Sequence, residues 1–105
     1  MRLVILESPY AGDTVRNVAY ARAALRDSLL RGEAPFMSHL LYTQALDDND
    51  PTERALGIEA GLAHGALCHA TVVYADYGIS RGMQLGIARA ESEGRPVETR
   101  YLLAP

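Results

Sequence analysis

The sequence contains no lysine: all ten basic residues are arginine. Without lysine there is no "GxxxxGK[ST]" string, so a Walker-type nucleotide-phosphate loop is excluded. An all-arginine complement fits a high-GC genome, or a site where guanidinium forks grip phosphate or carboxylate. Cysteine is almost as scarce. Cys68 is the single one, so no internal disulfide can form and no thiolate zinc set exists. An intracellular compartment is the default expectation, with Cys68 as a structural residue among apolar neighbours. Long apolar runs are missing too. The opening "MRLVILESPY" is too short in hydrophobic length for a signal peptide or a membrane span, and it reads as a buried strand. Positive net charge is also lacking. At −3 the chain is a poor candidate for non-specific nucleic-acid binding.

What is present is ordinary for a globular domain, with 49% hydrophobic and 22% charged residues. A chain of 105 residues is expected to form one domain spanning 1–105. Its core is of modest size, and association into a homo-oligomer would help stabilise it.

The pattern alternates between strands and helices. "LVILE" (Leu3–Glu7) is uninterrupted and β-rich, as a strand buried on both faces would be. "SPYAGD" is a turn-rich loop. From Thr14 to Arg31 the spacing predicts a helix, with Val18, Ala21, Leu25 and Leu29 as its apolar stripe. Asp13 or Thr14 can cap it and Gly32 can end it. A short strand at Pro35–Ser38 leads into a loop. Asp50, Pro51 and Glu53 then form a strong helix start, and that helix is expected to reach about Gly65. "CHATVVYAD" (Cys68–Asp76) predicts a second buried strand, Ser80–Glu93 a third helix, and "VETRYLL" (Val97–Leu103) a last strand. There is no internal repeat. This order implies a flavodoxin-like, Rossmann-like three-layer α/β sandwich with a mostly parallel sheet of four to five strands. Ligands in such folds bind beyond the carboxyl ends of the strands. That rule directs attention to "ESPYAGD", "SHLLYTQ" and "DYGISRGM".

Several residues there could carry chemistry. On a helical wheel Ala55, Ile58, Leu62 and Ala66 form an apolar face with Glu59 in its middle. A glutamate so placed is either satisfied by an arginine or a backbone amide, or serves as a site carboxylate. Glu7 ends the first strand at the ligand edge, beside Ser8. Asp13 and Asn17 flank the first helix start, where free N–H groups suit an anion, although capping explains Asp13 without one. Tyr10 and Tyr42 offer rings for stacking. His39 follows the second strand and is read either as a structural histidine or as a ligand contact. His64 and His69 do not have a metal spacing, and no metal or cofactor is expected. Asp76 ends a strand, and Ser80 and Arg81 open the next helix with a hydroxyl, a guanidinium and free amides.

The stretch "DYGISRGMQLGIARAESEGRPV" resembles the signature region of nucleoside 2-deoxyribosyltransferases and the related nucleotide N-glycosidases. There an acidic residue ends a strand and a loop follows. The next helix reads roughly G-[MT]-x-x-E-[LI]-G-x-A, before a G-[KR]-[PY]-V strand entry. "NVAYARAAL" is similar to that family's first helix. The blocks "ESPYAGD", "GIEAG" and "GISRGM" bring the chain closer still to a group of short phage and actinobacterial proteins, whose membership names no activity.

The resemblance implies residue roles. Family enzymes use the glutamate of "GMELGYA" as nucleophile at the anomeric carbon. Here the matching string is "GMQLGIA", which puts Gln84 at that position. An amide cannot form the glycosyl-ester intermediate, but it can hydrogen-bond a ribose hydroxyl. Asp76 matches the strand-ending acid, and Gly82 and Met83 match the glycine and its neighbour. Two readings follow. In the first, the domain binds a nucleotide, nucleoside or ADP-ribose-like molecule without turnover, as a cytoplasmic phage protein sequestering a nucleotide immune signal in a bacterial host would. Arg81 and the helix start take phosphate, Asp76 and Gln84 ribose, and Tyr10 or Tyr42 the base. In the second, Glu59 or Glu7 replaces the nucleophile and the protein is an N-glycosidase or deoxyribosyltransferase.

Overall fold

The structure, a computed structural model, describes residues 1–103; Ala104 and Pro105, inside the expected 1–105 domain, lie outside the described residues. Four strands form one sheet in the order β2-β1-β3-β4, every neighbouring pair parallel. They are β1 (Arg2–Glu7), β2 (Glu33–Phe36), β3 (Ala70–Tyr74) and β4 (Val97–Arg100). The helices are α1 (Thr14–Leu30), a one-turn α2 (Ser38–Leu41), α3 (Pro51–Gly65) and α4 (Arg81–Ser92). The flavodoxin-like sandwich expected from the alternation is the fold observed.

Caps stand where turn chemistry puts them. Asp13 accepts from the Arg16 amide, Asp50 from the Thr52 and Glu53 amides ahead of Pro51, and Ser80 from the Met83 amide. Gly32 follows α1 with φ +84°, a left-handed backbone that glycine adopts without a Cβ clash. Several boundaries differ from expectation, among them β3, which is two residues shorter at each end than Cys68–Asp76. The second strand runs Glu33–Phe36, and a helical turn replaces the expected loop after it. The last strand ends at Arg100 because the Asp76 carboxylate binds the Leu102 and Leu103 amides at 2.8 and 2.9 Å, which takes them out of the ladder.

The chain steps from β1 to β2 on one side and then across to β3 and β4 on the other. The switch point therefore lies between the carboxyl ends of β1 and β3. Alternate residues of β1 serve opposite layers. Val4 and Leu6 join Val72, Tyr74, Tyr20, Ala21, Ala24 and Met37 in a core under α1. Ile5 and Glu7 face the layer of α3 and α4, where Ile5 lies against Gly65 and Glu7 against Gly86.

Both expected helix stripes need partial correction: Ala21 is buried and Leu25 packs against the core as expected, and Ile58 and Leu62 face the cavity, but other members do not hold. In α1 the buried residues are Asn17, Tyr20, Ala21, Ala24 and Ser28, while Leu29 is exposed. Hydrophobicity misses this face because Asn17 and Ser28 are buried with their polar atoms satisfied. Asn17 donates to the Tyr10 and Ala11 carbonyls, and Ser28 donates to Glu33. In α3 the buried residues are Gly61 and Gly65, whereas Ala55, Ala66 and Glu59 are exposed. The glycines at 57, 61 and 65 share one face of the helix and let it approach α2 and Arg95 closely. That choice of face turns Glu59 into solvent.

Candidate functional site

One cavity of about 210 Å³ opens at the carboxyl end of β1. Its floor is Ile5 and Glu7, and Ser8, Tyr10 and Ala11 follow from the next loop. One wall is Ser38, His39, Tyr42, Thr43 and Leu46 from α2 and the turn after it. A second is Gly57, Ile58, Gly61 and Leu62 of α3, and a third is Ser80 to Met83, Leu85 and Gly86 at the start of α4. Asp48, Glu53 and Arg54 also line it. Asp48 and Arg54 are ion-paired at 2.9 Å with the arginine 41% exposed. Arg81 is exposed as well, so these charges stand at the mouth and the neutral groups lie deeper.

Glu7 dominates the deep end. Burial pushes its carboxyl up to about 8, and the Arg95 charge nearby offsets this only in part. The carboxyl makes no hydrogen bond among the described residues. Gly86 creates its seat, since a Cβ there would fall inside the carboxyl group. Arg95 does not reach it. Its guanidinium is held instead by Thr71 Oγ1 at 3.0 Å and Glu93 at 2.6 Å.

Beside Glu7, Ser8 Oγ and His39 Nε2 form a hydrogen bond of 2.7 Å. Ser8 is buried, and burial lowers the His39 imidazole to about 4, so it is neutral at pH 7. At the start of α4, Met83 is buried, and its sulfur accepts from the Ser80 amide at 3.3 Å.

The structure therefore brings Glu7, Ser8, Tyr10, His39, Tyr42, Ser80, Arg81, Gly82 and Met83 around one space. It puts five other candidates elsewhere. Glu59 is exposed on the outer face of α3. Gln84 is exposed one position beyond Met83 and does not line the cavity. Met83, Gly86 and Ala90 take the inward face of α4, and 100° per residue carries Gln84 off it. Asp13 caps α1, and Asn17 braces the loop behind Tyr10. Asp76 is bound by the Tyr20 hydroxyl and two backbone amides, which holds its carboxyl below the ordinary range against the opposing effect of burial. Missed from the sequence were Ser38, Thr43, Asp48, Glu53, Arg54 and the α3 glycines. The spacing G-x-x-x-G-x-x-x-G at 57, 61 and 65 was the available signal for a close-packed wall.

Among the described residues no group of three or more His, Cys, Asp or Glu could hold a metal ion. None of the helices there is long and apolar enough to cross a membrane.

A family described as "Domain of unknown function (DUF7768)" matches residues 2–100. The chain belongs to this family. Among solved structures, the DUF7768 chain is similar to a 2-deoxyribosyltransferase from the psychrotolerant bacterium Bacillus psychrosaccharolyticus. The TM-score is 0.66 at 19% identity, covering 94% of this chain and 72% of the other. At that identity the likeness establishes a shared fold. A search of curated proteins found no match.

Proposed function

We propose that this DUF7768 domain binds a nucleoside or nucleoside monophosphate in the cavity above β1. The observation that carries the reading is Glu7: a half-buried carboxyl, raised by desolvation and without a hydrogen-bond partner among the described residues, facing a small cavity at the ligand edge of a deoxyribosyltransferase-like fold. No protein group satisfies its oxygens, which stay open to the cavity, where a ligand can hydrogen-bond them. A cavity of about 210 Å³ is below the ~300–1,000 Å³ of drug-sized sites, which favours one nucleoside over an ADP-ribose-like dinucleotide. The structural neighbour is described as a biocatalyst for nucleoside synthesis, consistent with that ligand class. Arg81, beside the amides of α4, suits a phosphate at the mouth. Binding without turnover is also what sequestration of a nucleotide signal requires.

A second reading has its own observation. A carboxyl held neutral at pH 7 can act as a general acid, so Glu7 could protonate the departing base of an N-glycosidic bond. The test has two arms. Thermal shift with nucleosides and their monophosphates is expected to raise Tm, and no shift with any of them would overturn the binding reading. Chromatography for free base then separates binding from turnover. Release abolished by Glu7→Gln supports an enzyme, whereas stable binding with no release supports a binding protein.

A further inference from the structure

Two polar groups that line the cavity each keep an atom with no hydrogen-bond partner among the described residues, open to the cavity, and they differ from the charged residues at its mouth. One is the Glu7 carboxyl. The other is the half-buried His39 ring. Ser8 holds its Nε2 at 2.7 Å, and Nδ1 has no partner among the described residues. We assign the Ser8 hydroxyl as donor to Nε2, which places the ring proton on Nδ1. The histidine then presents an N–H donor. The carboxyl in its acid form presents a donor and an acceptor side by side. Around them stand Ile5, Ile58, Leu62 and Met83, with the flat glycine surfaces of Gly61 and Gly86. A slot with glycine walls, apolar side chains and neutral hydrogen-bonding groups suits a planar, uncharged heterocycle. It does not suit a sugar with several hydroxyls or a phosphate.

We propose that the deep end of the cavity is a nucleobase subsite, in which Glu7 pairs bidentately with adjacent donor and acceptor atoms on the ring edge and His39, fixed by Ser8, donates a further hydrogen bond. The sugar and any phosphate then point outward to Arg81, Arg54, Asp48 and Glu53. This rests on the nucleoside reading and reverses the orientation in which Tyr10 or Tyr42 alone holds the base. Glu7 and His39 are the specificity-determining residues, and Ser8 is a positioning residue.

The groups facing Glu7 are His39 from α2, Arg95 from the turn after α4, Arg81 from α4, and the three charged residues at the mouth. Because the acid form does the pairing, affinity falls as Glu7 ionises. With its carboxyl at about 8, binding is expected to weaken about tenfold from pH 7 to pH 9.

Calorimetric titration of the full chain with free adenine, guanine, cytosine and uracil, and with their nucleosides, tests the subsite. At least one free base is expected to bind. Glu7→Ala and His39→Ala should each weaken that base and its nucleoside by tenfold or more. Glu7→Gln, which cannot ionise, should remove the pH dependence. Nitrogen-15 NMR should show the His39 proton on Nδ1 in the wild type and a mixture of tautomers in Ser8→Ala, a change that a packing role alone would not produce. Nucleoside binding with no free-base binding, or with affinity indifferent to Glu7→Ala and His39→Ala, would overturn the subsite but leave the nucleoside reading intact. If neither nucleosides nor bases bind a folded wild type, both fall.

Discussion

At the scale of single residues, Glu7 carries a stability cost whose pH dependence has a definite sign. Its folded carboxyl sits at about 8 against an ordinary 4.5. Below the ordinary value both folded and unfolded chains hold the proton, and no cost arises. Above it the unfolded chain ionises while the folded one keeps its proton, so stability falls through the window from about 4.5 to about 8. The total loss is of order a few kcal/mol. Glu7→Gln should flatten the fall in Tm across this range and leave the protein more stable than wild type at pH 8. Calorimetric scans from pH 4 to 9 measure this, and parallel curves for the two proteins would contradict it. The sequence put Glu7 at the ligand edge because β1 ends there. It could not reveal that Gly86, 79 positions away, makes the seat that buries it. For Gln84 the resemblance pointed to a helix whose start lines the cavity, but the inward side chains are its neighbours.

At the scale of elements, the caps and the strand–helix alternation were legible because Asp13, Asp50–Pro51, Gly32 and Ser80 act through local backbone geometry. The faces of α1 and α3 were legible only in part, through Ala21, Leu25, Ile58 and Leu62, because hydrophobicity undervalues a stripe that packs through small or satisfied polar residues. In α3 this has a measurable consequence. A Cβ at Gly61 would lie 2.6 Å from Ser38 Oγ and 2.7 Å from Ser38 Cβ. The second atom is fixed to the backbone, so α2 must move. Gly61→Ala is therefore expected to destabilise by about 1–3 kcal/mol despite alanine's better helix propensity, and to weaken ligand binding by displacing His39. Gly82→Ala is the contrast. Nothing lies within 4 Å of a Cβ there, and a gain of up to ~1 kcal/mol is expected. Denaturant titration of both variants decides, and similar effects would argue against the close α2–α3 contact.

At the scale of the whole molecule, the two faces of the sheet are covered unequally. The layer that builds the cavity has α3 and α4, while the opposite face has α1 alone, over β1 and β2. An ion-pair network spreads across the rest of that face. Glu33 on β2 accepts from Arg100 of β4 at 2.7 and 2.8 Å, from Arg2 of β1 at 2.7 Å, and from Ser28 of α1 at 2.8 Å. Arg100 also donates to the Tyr74 hydroxyl of β3 at 3.1 Å. All four strands and α1 are thereby tied to one carboxylate, which is itself 6% exposed. The Arg100 hydrogen bonds, helped by Arg2 and Ser28, hold it down at about 2 against the opposing effect of burial. A lowered carboxyl contributes stability that is present above its ordinary value of 4.5 and lost as pH falls toward about 2. Its sign is opposite to that of Glu7, and the two windows meet near pH 4.5. His39, neutral in the fold down to about 4 against an ordinary 6.5, adds stability as pH rises between those values and offsets Glu7 there, so wild-type stability should be level from about pH 4.5 to 6.5, decline above that as Glu7 keeps its proton, and fall steeply on the acid side as Glu33 is protonated. Glu33→Gln should cost about 2–3 kcal/mol at pH 6, because it takes the close anion from the largely buried Arg100 and leaves it only the longer contact to Glu98 at 3.5 Å. It should also flatten the acid limb and leave the alkaline limb unchanged. Glu7→Gln should do the reverse, and the two effects, a loss from Glu33→Gln and a gain from Glu7→Gln at alkaline pH, should add in the double variant, since the two residues serve opposite faces of the sheet. A Glu33→Gln protein that kept the full acid dependence would show that the network does not govern how the uncovered face responds to pH.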